Sequence, residues 1–146
     1  MPTFLLEIVT PERVTFKDQV EFLAVPAYNG ELGVLPGHTP LLAQLVTGLL
    51  RFKKGDLQEA VAISGGFLEV LPDQVAVFAE TAELAEEIDT ERARQSAERA
   101  KSVLALGSRT ADLETAQAAL LRALIRLRAV ERIQRRPQRI GESNLK

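Results

Sequence analysis

The spacing of apolar residues changes near residue 80, and this change restricts the chain to two kinds of structure in succession. Before it, short segments alternate apolar and polar side chains between clusters of Gly, Pro, Asn and Asp. After it, Ala, Glu, Arg and Leu dominate from Glu83 to Leu106, with no interior Gly or Pro. Strand side chains repeat every two residues and helical ones about every 3.6, so the first part reads as strands and the second as helix. Strands are expected over residues 3–9, 14–16, 19–26, 41–46, 49–53, 57–63, 67–71 and 74–79. Turns fall at Thr10-Pro11-Glu12, Tyr28-Asn29-Gly30, Lys54-Gly55-Asp56 and Pro72-Asp73. Many short strands with closely spaced turn signals point to a β-sandwich or barrel.

The second part divides in two. Asp89 or Thr90 suits a helix N-cap. Ala93, Ala97, Ala100 and Leu104 then form a narrow face of small residues. Leu106-Gly107-Ser108 breaks the helix, and a second runs over roughly 110–132, with an expected apolar face of Leu113, Ala116, Leu120, Leu124 and Leu127. Two such helices make an antiparallel hairpin. The expected class is therefore α+β: an N-terminal antiparallel β-sandwich (1–84), a helical hairpin (88–134) and a flexible tail (135–146).

Composition removes several chemistries. The chain has no Cys, so disulfide frameworks, thiol catalysis and zinc–thiolate sites are excluded. No apolar run approaches the ~18 residues of a membrane span, and no basic segment followed by an apolar core opens the chain, so neither a span nor a secretory signal is expected. The net charge of −2 conceals a gradient. Residues 1–90 hold 5 Lys/Arg against 14 Asp/Glu, whereas residues 121–146 hold 8 against 2. An acidic body with a basic tail suggests that the tail meets an anionic partner: nucleic acid, an acidic protein surface or a nucleotide. Aromatics at 5% and the absence of an RNA-binding motif disfavour nucleic acid.

Residues 30–40, Gly-Glu-Leu-Gly-Val-Leu-Pro-Gly-His-Thr-Pro, combine three glycines with two prolines. Such a stretch specifies a tightly turned crossover, marked by Gly30, Gly33, Pro36, Gly37 and His38. Gly33 is expected in a positive-φ or crowded position. The spacing is not that of a phosphate loop, and the single histidine, His38, cannot make a metal site. It reads as a turn residue. Ser64 precedes Gly65-Gly66 outside any nucleophile-elbow pattern. Glu80, Glu83, Glu86, Glu87 and Asp89 lack the spacing of a calcium loop and read as a solvated helix start. No catalytic set and no metal site are expected.

Ile88-Asp89-Thr90-Glu91-Arg92-Ala93, with Arg99, Arg122 and Arg126, is the most informative constellation. Asp89 and Arg92 share a helix face, as do Arg122 and Arg126. If the hairpin folds back, guanidinium groups from both helices converge, and arginine forks suit phosphate. On residue chemistry alone the group reads as a solvated charged face.

Gly-Glu-Leu-Gly-Val-Leu-Pro-Gly-His-Thr-Pro-Leu from Gly30, and Ser-Gly-Gly-Phe-Leu-Glu-Val from Ser64, resemble the two hallmarks of the epsilon subunit of the rotary (F-type) ATP synthase. The resemblance covers nearly the whole chain. It implies a non-catalytic central-stalk (rotor) subunit whose flattened β-sandwich binds the gamma subunit and the membrane c-ring. It also implies a movable hairpin that meets the alpha and beta subunits and inhibits ATP hydrolysis. Ile-Asp-x-x-Arg-Ala is similar to the family's ATP-binding motif, which makes Glu83, Ile88, Asp89, Arg92, Arg99, Arg122 and Arg126 the implied ATP contacts. Where some ATP-binding members carry two further arginines, this chain has Val103 and Thr115. Arg122, Arg126, Arg128 and Arg132 form the implied inhibitory basic face. No cofactor is required, and ATP is a regulatory ligand. Association with the membrane is indirect, at the cytoplasmic face of the bacterial plasma membrane or, in a photosynthetic source, the thylakoid. The alternative on residues alone is a freestanding β-sandwich adaptor with a basic helical tail for nucleic acid.

Overall fold

A computed structural model describes residues 2–106 and 110–134. The expected break at Gly107-Ser108 and the tail from residue 135 lie outside the described residues. The described residues form ten strands: β1 (Phe4–Val9), β2 (Val14–Val20), β3 (Phe22–Ala27), β4 (Gly30–Val34), β5 (Leu41–Leu45), β6 (Gly48–Lys54), β7 (Leu57–Ile63), β8 (Gly66–Val70), β9 (Gln74–Ala79) and β10 (Ala82–Leu84). A short 3-10 turn (Ala85–Glu87) leads to helices α1 (Thr90–Leu106) and α2 (Thr110–Gln134). The strands pair in the order β10-β7-β6-β3-β5-β8-β9-β1-β2, with β4 a hairpin partner of β3. The sheet bends round a single apolar core to form a sandwich.

Alternation builds that core. In β1, Phe4, Leu6 and Ile8 point inward and are almost fully buried, while Leu5, Glu7 and Val9 are half-buried. Leu23, Val25, Leu50, Phe52, Val61, Leu68 and Val77 meet them from the other strands. Full burial of each such side chain contributes about 1.5–3 kcal/mol.

Four expectations are revised. The sandwich is not wholly antiparallel, because β1 lies parallel to β9, with Val9 opposite Phe78. β2 is one strand through Lys17 and Asp18, which stay in the ladder opposite Glu7 and Leu6. Their polarity concealed this, since charged side chains that stay partly exposed on the terminal strand of the sheet do not interrupt backbone pairing. The first half of the crossover is itself strand β4, in which Gly33 faces Ala24. Gly33 takes neither a positive φ nor a crowded position, and an added Cβ would lie 3.6 Å from the Phe22 ring, an ordinary contact. Fourth, Leu124 of α2 is 44% exposed, while Ala116, Ala123, Ile125 and Ala129 are buried. The helix serves two neighbours at once, and only alanines allow α1 and the sheet both to come close.

The remaining crossover residues form the turn. Gly30 and Gly37 have positive φ. Gly37 N–H donates to the Pro72 carbonyl at 3.1 Å, which ties the crossover to the β8–β9 turn. His38 Nδ1 donates to the Thr39 carbonyl at 2.7 Å.

Asp89 caps α1, its Oδ1 accepting from Arg92 N–H at 3.1 Å. The helices are antiparallel: Ala93, early in α1, clusters with Ile125 and Ala129, late in α2. They fold back on the sandwich through α2, where Ile125 and Ala129 rest against Ala60 and Ala62 of β7 and the partly buried Leu49 of β6. This seam is a second apolar cluster, separate from the sandwich core and made largely of alanine.

Candidate functional site

The parallel pairing of β1 with β9 sets the position of the site. Because Val9 lies opposite Phe78, the Thr10–Arg13 turn ends beside Glu80 and Thr81, where the chain leaves the sandwich. That turn is held by Thr10 N–H donating to the Arg13 carbonyl at 2.9 Å and by Arg13 N–H donating to Thr10 Oγ1 at 3.3 Å. Beyond it lie the linker and the N-terminus of α1, and α2 runs alongside.

These segments enclose a cleft of about 710 Å3, within the range of small-molecule sites. Six of the seven residues named as ATP contacts line it: Glu83, Ile88, Asp89, Arg92, Arg99 and Arg126. Arg122 instead lines a small adjoining recess with Ser64, Thr81 and Glu83, whose carboxylate is paired with Arg126. The Ser64 and Thr81 hydroxyls hydrogen-bond to each other. Val103 and Thr115 lie together in a second groove between the helices, which Ser96 and Arg99 share with the cleft.

The cleft carries four arginines and five carboxylates, and its geometry determines which of them are engaged. Arg126 Nε donates to Glu83 Oε1 at 2.5 Å, a pair about one-third exposed at each end. Arg13 Nη2 donates to Glu87 Oε2 at 2.8 Å. Asp89 is occupied in capping α1. Arg99 donates to Ser96 Oγ at 3.2 Å. Neither Arg92 nor Arg99 forms an ion pair among the described residues. Two guanidinium groups outside any ion pair, Arg92 and Arg99, and two in partly exposed ion pairs, Arg13 and Arg126, line one cleft from sandwich, α1 and α2, with Glu12 and Glu80 also on its wall. The residues present therefore fit a nucleotide phosphate chain.

The four arginines of the expected basic face spread over about 160° of the circumference of α2. At 3.6 residues per turn, Arg128 and Arg132 lie about 120° round the helix from Arg122 and Arg126. The first pair is half-buried toward the cleft and the second is exposed.

Sequence reasoning missed Thr10, Glu12, Arg13 and Thr81. No linear spacing connects Arg13 to the motif beginning at Ile88. Only the β1–β9 register does so.

Comparison with known proteins gives the lineage. Residues 3–85 match the family described as "ATP synthase, Delta/Epsilon chain, beta-sandwich domain", and residues 86–131 match its "long alpha-helix domain". The chain belongs to the ATP synthase epsilon-chain family. It is 44% identical to the ATP synthase epsilon chain of Syntrophomonas wolfei, covering 89% of this chain and 96% of that one. The epsilon chain of Halalkalibacterium halodurans is 45% identical, with coverage of 87% and 96%. Among solved structures, a chain of the Euglena gracilis mitochondrial ATP synthase superposes with a TM-score of 0.66 at 24% identity, over 92% of this chain and 81% of that one. This likeness extends the shared fold to a distant relative.

Proposed function

We propose that this epsilon-family chain is a non-catalytic central-stalk subunit of an F-type ATP synthase, and that its hairpin is a nucleotide-sensitive brake on ATP hydrolysis. The observation that carries the regulatory part is the cleft, because its arginines come from the sandwich, α1 and α2 and meet only while the hairpin is folded back. A ligand shifts a conformational equilibrium by its differential affinity for the two states. ATP bound here therefore favours the folded-back form, by about 2.7 kcal/mol at a hundredfold excess over Kd. Without ATP, release of the alanine seam frees α2, whose basic residues then engage acidic surface on the alpha and beta subunits.

Attachment to the rotor uses the sandwich. On the outer face of β5, β8 and β9, Leu42, Phe67 and Phe78 are 74%, 61% and 48% exposed, with Phe67 directly opposite Phe78. An apolar patch of this kind is a docking surface, here for the gamma subunit, with the c-ring below. Among the described residues no helix is long and apolar enough to cross a membrane. The subunit is held at the cytoplasmic face of the membrane through these partners. Nucleic acid is not a partner in this reading.

The test is calorimetric titration of the full chain with ATP. A charge-assisted contact is worth about 1.5–3 kcal/mol, so Arg126→Ala weakens binding roughly ten- to a hundredfold. Arg92→Ala and Arg122→Ala weaken it as well. No heat at millimolar ATP, or three variants that bind like the wild type, refutes the nucleotide reading.

A further inference from the structure

We infer that Arg13, on the β1–β2 turn of the sandwich, is itself a phosphate ligand of the cleft, and that Glu87 holds its place until the nucleotide arrives. This rests on the nucleotide reading above. Arg13 lines the same cleft as Arg92, Arg99 and Arg126, and the hydrogen-bonded Thr10–Arg13 turn presents it there. Its side chain is 55% exposed and that of Glu87 39%, so their ion pair is screened and weak. A polyphosphate offers the guanidinium several charge-assisted acceptors in place of one carboxylate, and an exposed pair cannot compete with that.

The exchange has a structural consequence. Arg13 belongs to the sandwich, whereas Arg92, Arg99 and Arg126 belong to the helices. A phosphate chain that touches both sets ties the hairpin to the sandwich directly. It also frees Glu87, in the segment that joins them, from Arg13. Binding and docking are then coupled through a residue more than seventy positions from the helical motif.

A purely structural role for the Arg13–Glu87 pair makes a different prediction. If the pair merely holds the linker in shape, Arg13→Ala and Glu87→Gln both damage the cleft and both weaken binding. If Arg13 is a ligand and Glu87 its competitor, the two variants move in opposite directions. The experiment is calorimetric titration of the full-length wild type, Arg13→Ala and Glu87→Gln with ATP at one ionic strength, with thermal unfolding of each to establish folding. Arg13→Ala is expected to bind about tenfold more weakly, and Glu87→Gln about threefold more tightly. Wild-type affinity in Arg13→Ala, or shifts of the same sign in both variants, overturns this inference while leaving the nucleotide reading intact. A wild type that binds no ATP overturns both.

Discussion

Gly66 opens β8 at φ +127, and a Cβ added there would lie 2.0 Å from the Phe78 carbonyl oxygen and 2.8 Å from Ala79 Cα. Both atoms are backbone of β9, which is held on its far side by β1, so β9 cannot yield without losing a second ladder. Gly66→Ala therefore has two costs. The conformation is one that L-residues rarely enter, which costs about 1–3 kcal/mol. Relieving the clash separates Gly66 from Ala79 and strains the Phe67–Phe78 pair, with backbone hydrogen bonds worth about 1 kcal/mol each. The sum is on the order of 3–5 kcal/mol, a large share of the ~5–15 kcal/mol that stabilises a typical domain. For a sandwich of this size, that lowers Tm by roughly 15–30 °C. The assay is thermal unfolding followed by circular dichroism, with Gly33→Ala as the control. Gly33 has ordinary strand geometry and room for a methyl group, so its variant stays within a few degrees of wild type. If Gly66→Ala melts with the wild type, or if both variants fall equally, the argument from backbone contact is wrong.

Residues 1–84 alone should unfold cooperatively, because the sandwich core and the hairpin seam are separate clusters. A non-cooperative melt of that fragment refutes this. Deleting residues from 88 onward should leave assembly with the gamma subunit intact and raise ATP hydrolysis by the complex, and unchanged hydrolysis across ATP concentrations and ionic strengths counts against a brake. The hydrogen bond from Lys54, followed by that from Gln19 N–H, holds the Asp18 carboxyl below its ordinary value of 3.8. A lowered folded-state pKa means that this contribution to stability is present above about pH 4 and is lost as pH falls through the lower value. Asp18→Asn should therefore flatten the acid limb of the stability curve below pH 4 and leave its slope at neutral pH unchanged.

The two-part architecture was legible because period and punctuation act locally. A Gly- and Pro-free run of helix formers after alternating segments admits few alternatives. Asp89 could be read as a cap because a carboxylate three residues before a free N–H has one obvious use. What could not be read was whatever depends on contacts distant in sequence. Leu124 looks like core on a helical wheel, yet it faces solvent because alanines set the distance between α2 and both its neighbours. Gly33 looks special among its Gly and Pro neighbours, but its backbone is an ordinary rung of β4. Arg13 carries no motif at all. The arginines on the helices were legible as a group through the resemblance to the epsilon family, with the helical period placing each pair on one face, whereas the arginine on the sandwich reaches them only through a strand register.

That register also orders events in time. β1 leaves the ribosome before the other described strands, but one of its two hydrogen-bonded edges stays empty until β9 follows, some seventy residues later. Contacts of such long sequence separation are slow to close. Through that interval the β1–β2 hairpin presents an unpaired backbone edge and an uncovered apolar face of Phe4, Leu6 and Ile8 to anything nearby. The helices follow the ten strands in the chain and pair with each other, so all the strands of the sandwich leave the ribosome before there is a hairpin to fold back on it.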